Sequence, residues 1–318
     1  MKTKISRRFT ALALIVVMLT VLVATPLVSY ACGSSSALED EIEPTATPTT
    51  TSTHTPTSTP TNIPEPTPTP SPTPTPTPLV PEPNVVYQFD GQTTEEDQAI
   101  IRQGIEIANR FFFLQLGSVV DRKIVVSTYG SPSNPCSGSL ATAGQNSICI
   151  HVGNEYWFST ALGASKENKL KTVAHEYYHT LQVSLGCSPQ VNWNAPEKRP
   201  TWLFEGSAEF MGQAVLDFAG VERLDYRITR WRANDKRSSY SPALSTWETV
   251  GAGQQMPYIV PALAVNDLVS MAGLRSVTSF CQLRGQGVAW QDAFSQAFSL
   301  TPTEFYEQFE LKRSGGYK

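Results

Sequence analysis

The chain has 318 residues and is 40% hydrophobic, with 24 Lys and Arg against 28 Asp and Glu for a formal net charge of -4. A slight acidic excess excludes the basic footprint of a nucleic-acid-binding protein, so no nucleic-acid partner is expected. Cys32 is followed by four more cysteines, Cys136, Cys149, Cys187 and Cys281, an even number that in an exported chain reads as two disulfides.

The basic start Lys2, Lys4, Arg7 and Arg8 precedes an almost uninterrupted apolar run from Ala11 to Val23, so residues 1–31 read as a signal peptide or membrane-targeting segment. Ala31 directly before Cys32 resembles a bacterial lipobox, whose cysteine is acylated, although Ser29 stands where a lipobox prefers Leu. Attachment to the membrane through Cys32 and simple cleavage with release both remain open, and each makes the protein extracytoplasmic: secreted or a cell-surface lipoprotein. Residues 32–83 follow as a Thr/Pro-rich spacer, with 14 of the 24 prolines between positions 44 and 83. Alternating Thr-Pro removes backbone donors, offers no apolar face and favours extended polyproline II, at about 3.1 Å per residue a reach on the order of 100 Å. His54 lies inside this spacer and is set aside.

Residues 84–318 are long enough for one large domain or two closely packed lobes, and no segment in them is long and apolar enough to cross a membrane. Thr93 or Thr94 ahead of Glu95, Glu96 and Asp97 marks a capped helix start, and Ile100, Ile101, Ile105, Ala108 and Phe112 continue at helical spacing to about Leu116. Lys123–Tyr129 and Ser147–Val152 are short β-rich runs bounded by turn residues. Pro132, Pro135 and Gly138 suggest a turn that brings Cys136 to Cys149, which leaves Cys187 for Cys281. The absence of any CxxC spacing argues against a thiolate zinc site.

A helix is predicted from Ser165 to Leu185, stopped by Gly186, with an apolar stripe of Leu170, Val173 or Ala174, Tyr177, Leu181 and Leu185. It contains His175-Glu176-Tyr177-Tyr178-His179. Imidazoles four residues apart on a helix point the same way and can meet one ion, with Glu176 beside a third coordination position. Helices are then expected over Thr201 to about Gly220, Val221–Asn234, Pro257–Ala272, Trp290–Phe298 and Thr303–Lys312. Strands early and helices late, with no βαβ alternation, predict an α+β fold.

A catalytic zinc usually has three protein ligands and a water, so a third ligand is needed. Thr201-Trp202-Leu203-Phe204-Glu205-Gly206-Ser207-Ala208-Glu209, at a predicted helix start, offers two carboxylates one turn apart. Here the chain resembles the gluzincin zinc metallopeptidases, of the peptidase MA-like type, in which HExxH is followed on a second helix by W-[LF]-x-E-G-x-A. Residues 202–208 match every fixed position of that pattern. The resemblance spans about residues 145 to 310, dense at these two motifs and thin between them. It implies a gluzincin-type domain with a small N-terminal β-sheet lobe and a helical C-terminal lobe.

By that resemblance His175, His179 and Glu205 hold Zn²⁺, Glu176 is the general base, and Glu209 hydrogen-bonds a ligand imidazole. The competing assignment makes Glu209 the ligand. Aminopeptidase-type gluzincins also open a later helix with a tyrosine, in a pattern like S-Y-x-K-G-A, whose hydroxyl stabilises the tetrahedral intermediate. Tyr258 is the candidate, with Val260-Pro261 replacing the Lys-Gly pair, against a role as a core aromatic. The strand holding His151 falls where gluzincins place the edge strand that pairs with substrate, although a lone strand histidine is more often structural. Metzincins are excluded because Gln182 and Leu185 stand where their Gly and His belong. The GxMEN signature of aminopeptidases is missing, with Glu155 the only nearby acid, which points to an endopeptidase or to a protease of undefined direction acting on peptides or proteins. A non-catalytic zinc-containing surface module and a zinc amide hydrolase of the cell wall are the rival expectations.

Overall fold

The computed structural model describes residues 79–130, 136, 139–162, 164–187, 200–237, 242–248 and 258–317. The expected targeting segment, Cys32, His54, the spacer up to residue 78, Pro132, Pro135, Gly138 and Met256-Pro257 lie outside them. The described residues belong to the compact unit Thr73–Lys318.

The elements run β1 (Val85–Gln88), α1 (Glu95–Phe111), β2 (Ile124–Tyr129), β3 (Ala141–Ala143), β4 (Ser147–His151), a single-turn α2 (Glu155–Phe158) and α3 (Lys166–Ser184). They continue as α4 (Thr201–Phe218), α5 (Leu224–Arg237), α6 (Ile259–Ala272), α7 (Arg275–Gly285), α8 (Trp290–Phe298) and α9 (Pro302–Ser314). The fold is thus mixed α and β and mostly helical, with one small sheet. Its strand order is β1-β2-β4-β3. The first three strands pair in parallel, and β3 runs antiparallel at the edge beside β4.

Two expectations need correction. β1, α1 and β2 form a parallel crossover, so the chain does contain a βαβ unit; β1, at four residues, is too short to give a clear alternating pattern. The strand carrying His151 is not the sheet edge. β4 lies between β2 and β3, and the edge strand on that side is Ala141–Ala143, whose small residues carry almost no strand signal. His151 is buried at the end of β4, and its backbone N–H donates to the Leu140 carbonyl. Helix α7 was also unforeseen, because Ser276, Thr278 and Cys281 share its buried side with Val277 and Phe280 and blur the apolar period.

Each long helix near the sheet starts on a side-chain cap. Thr94 accepts from the Asp97 N–H at the head of α1, and Ser165 accepts from the Asn168 N–H at the head of α3. The apolar face of α1 packs on α3, and one hydrophobic cluster runs from Ile124 and Ile148 of the sheet through Tyr177 and Leu203 to Phe294 and Phe305. The sheet and the helices therefore share one core, not two separate ones. From Val173 to Val183 helix α3 is buried on every side, so each polar group there has to be satisfied within the protein. Disulfides join Cys136 to Cys149 and Cys187 to Cys281, as expected, and the second ties the end of α3 to α7. Two such bonds fit an oxidising, extracytoplasmic compartment. No helix among the described residues is long and apolar enough to cross a membrane.

Asp97 pins α1 to the start of α3. Its Oδ1 accepts from Trp157 Nε1 at 3.0 Å and Lys169 Nζ at 2.8 Å, and Thr94 Oγ1 donates to Oδ2 at 2.9 Å. Burial alone would raise its pKa, but Lys169, Thr94 and Trp157 together hold it below the usual carboxylate value. A folded-state pKa below the unfolded one adds stability above about pH 4 and loses it as pH falls through the folded value. Asp97→Ala leaves the indole N–H and the ammonium without their acceptor, at a cost of about 2–4 kcal/mol. Urea unfolding between pH 7 and pH 3 should show that cost at neutral pH and a flatter acid limb in the variant.

Candidate metal centre

Helix α3 contributes His175, Glu176 and His179, and α4 contributes Glu205 and Glu209. Small residues in α4 set the approach of its neighbours. A Cβ on Gly212 would stand 3.0 Å from the Lys171 carbonyl of α3, and one on Gly206 would stand 2.6 Å from the Pro261 backbone of α6. Gly206 thereby lets α6 close in, and Tyr258, at the N-terminal end of α6, comes to lie over His175 with ring centroids 5.8 Å apart.

The Nε2 atoms of His175 and His179 are 3.1 Å apart. Glu205 Oε2 lies 3.3 Å from Nε2 of His179 and 3.7 Å from Nε2 of His175. A tetrahedral ion with ligands at about 2.0–2.1 Å separates its donors by about 3.3 Å, so this triangle has the dimensions of three corners of such a site. Two imidazole nitrogens and one carboxylate oxygen are also the donor set a catalytic zinc takes. Among the described residues these three form the group of metal-ligating side chains that comes together. The residues present therefore fit the ion.

Glu209 lies on the other side of the His175 ring. Its Oε2 is 3.4 Å from Nδ1, and Lys171 Nζ grips its two oxygens at 2.7 and 2.9 Å. Burial opposes the charged form of His175, but Glu205 and Glu209, helped by Glu176, push its pKa up to about 10. Burial would likewise raise Glu209, yet Lys171 and His175 hold it far below the usual carboxylate range. Glu205 is held down in the same way, against burial, by His179 and His175. Glu176 behaves oppositely: burial raises its pKa, only partly offset by the two histidines. Tyr258 is pushed up by burial and by the carboxylates of Glu205, Glu176 and Glu209.

His175, Glu176, His179 and Glu209 are all less than 9% exposed, whereas Tyr258 is 48% exposed. His179 is held on two counts that the motifs do not announce. Phe204 stacks on its ring at 4.6 Å and 18°, and Gln182 Oε1 lies 2.7 Å from its Nδ1. Lys171, His175, His179 and Gln182 follow one another at spacings of four, four and three residues. That polar stripe is legible in the sequence, beside the apolar stripe of the same helix. A cavity of about 110 Å³ lies nearby, lined by Leu203, Phe204, Val277, Phe280 and the Cys187–Cys281 disulfide, with none of the three triangle residues in its wall.

No family model matches the chain, and no curated protein matches it. Two solved structures are similar: the M1 zinc metallopeptidase from Deinococcus radiodurans, at 13% identity and a TM-score of 0.42, and a mutant of that enzyme, at 15% and 0.41. The alignments cover 73% and 71% of this chain but 48% and 47% of those proteins, so the chain spans about half their length.

Proposed function

We propose that the chain is an extracytoplasmic zinc-dependent peptidase that cleaves peptide or protein substrates by hydrolysis. The observation that carries this reading is the triangle of His175 Nε2, His179 Nε2 and Glu205 Oε2, with edges of 3.1, 3.3 and 3.7 Å, beside the buried carboxyl group of Glu176. Three protein ligands leave a fourth vertex for water, which is the arrangement of a catalytic and not a structural zinc.

When bound, zinc lowers the pKa of its water toward about 7 and polarises the scissile carbonyl. Glu176, adjacent in sequence to His175 and not one of the converging donors, takes the proton of the attacking water and passes it to the leaving nitrogen. Tyr258 donates its hydroxyl hydrogen to the developing oxyanion; its raised pKa keeps that hydrogen in place at neutral pH. The substrate backbone adds to the edge strand β3, which lies in the sheet next to β4 and against α3.

The test is metal content together with hydrolysis. Purified protein is expected to hold one zinc per chain and to degrade an unfolded protein. Chelation should abolish that activity and added zinc should restore it. Peptidoglycan assayed in parallel separates the peptidase from a cell-wall amide hydrolase, and zinc held without hydrolysis of either substrate would reduce the site to a binding module.

A further inference from the structure

We infer that Gln182 is a positioning residue that fixes which nitrogen of His179 is free to bind the metal, an inference that rests on the metal-centre reading above. Gln182 is 1% exposed, one turn beyond His179 on α3. Its Nε2 lies 3.0 Å from the Phe204 carbonyl oxygen and 2.8 Å from Ser207 Oγ. A carbonyl can only accept, so the edge of the amide that faces Phe204 is the NH₂. The Ser207 hydroxyl reinforces this orientation, because its own hydrogen is directed to the Leu203 and Phe204 carbonyls and a lone pair is left for Gln182. The other edge of the amide, Oε1, then meets His179 Nδ1 at 2.7 Å and can only accept there. Gln182 therefore favours the hydrogen on Nδ1, against the Glu205 carboxylate 3.3 Å from Nε2; with the metal in place of a hydrogen there, Nε2, the atom in the triangle with His175 and Glu205, offers its lone pair.

The consequence reaches across two segments of chain. Phe204 directly precedes Glu205, so the carbonyl that sets the Gln182 amide belongs to the same helical turn as the carboxylate ligand. Phe204 also stacks its ring on His179. Stacking fixes the plane of the imidazole, and the Gln182 acceptor fixes its rotation within that plane. Gln182 thus couples the α3 ligand to the α4 ligand. The two histidines are oriented differently: His175 turns Nδ1 to the carboxylate of Glu209, whereas His179 turns Nδ1 to a neutral amide.

The test compares the full chain with Gln182→Met, which keeps the length and helix preference of the side chain but cannot accept strongly. Zinc affinity is read by chelator competition, and the site of the ring proton by nitrogen-15 NMR of histidine-labelled, zinc-free protein. The expected result is zinc binding weakened by about 10- to 100-fold in the variant, the range for loss of a partner that orients a ligand histidine. The neutral His179 ring should carry its hydrogen on Nδ1 in a larger fraction of wild-type molecules than of variant molecules. A general packing role would lower thermal stability but leave affinity and tautomer unchanged, and that outcome overturns the inference. Should Gln182→Met fail to fold, Ser207→Ala leaves Gln182 in place; a weaker loss in the same direction supports the inference, and unchanged affinity overturns it. If the wild type binds no zinc, the metal-centre reading fails by itself. The NMR result then decides Gln182 separately, with the same tautomer ratio in wild type and Gln182→Met counting against it.

Discussion

Glu176→Gln is expected to leave zinc bound at one per chain and to reduce hydrolysis of an unfolded protein by about 10²- to 10⁴-fold. That loss corresponds to about 2.7–5.5 kcal/mol of transition-state stabilisation. The reasoning starts from helical geometry. Position 176 follows the first imidazole, so its side chain projects about 100° around α3 from His175 and does not join the three donors that converge. It is nonetheless 7% exposed and sits in the field of both histidines and of Glu205. Among the described residues no ion pair holds this buried carboxyl group, which makes it costly to maintain, and the proposed role as base would account for that cost. Glutamine has the same shape and removes only the basicity, so packing and metal affinity should persist while the proton acceptor is lost. Metal analysis and kcat/KM measured on the same sample check both halves of the statement. A variant with full zinc and full activity would move the base to another residue.

The parts of the site that could be read in the sequence are those with a short-range code. His175 and His179 are one turn apart, Glu205 and Glu209 are one turn apart, and helix periodicity is enough to align each pair. The capped starts of α1 and α3, at Thr94 and Ser165, obey an equally local rule. Lateral order in a sheet has no such code. Nothing in Ser147–His151 reveals that Ala141–Ala143 covers its outer side, and the edge strand was therefore assigned to the wrong segment. β1 was missed for a related reason: four residues with one buried face half-formed make too short a period, and parallel pairing to β2 across α1 supplies the stability. The partners of the ligands were hidden by a different limit. Gln182 acquires its role from the backbone carbonyl of Phe204, 22 residues away, and a backbone atom leaves no residue-type signature. Lys171 acquires its role from Glu209, 38 residues away, on a helix whose approach depends on Gly212.

Removing the two α4 carboxylates one at a time should separate their roles. Glu205→Ala is expected to weaken zinc binding by about 10²- to 10³-fold, one ligand's share of the roughly 10–16 kcal/mol with which four-ligand sites hold the ion. Glu209→Ala should cost about 10- to 100-fold, the range for a group that orients a ligand. The difference follows from which imidazole nitrogen each carboxylate faces. Glu205 Oε2 approaches both Nε2 atoms, at 3.3 and 3.7 Å, and can share one ion with them. Glu209 Oε2 approaches Nδ1 of His175, and Lys171 holds both of its oxygens at 2.7 and 2.9 Å. To become a ligand Glu209 would have to leave the ammonium and pass to the opposite edge of the ring, which strands Lys171 in a largely buried position. Chelator competition on the two variants gives the order directly. A larger loss for Glu209→Ala would make Glu209 the ligand and Glu205 its support, because a carboxylate that only orients one imidazole cannot cost more than the one that binds the ion.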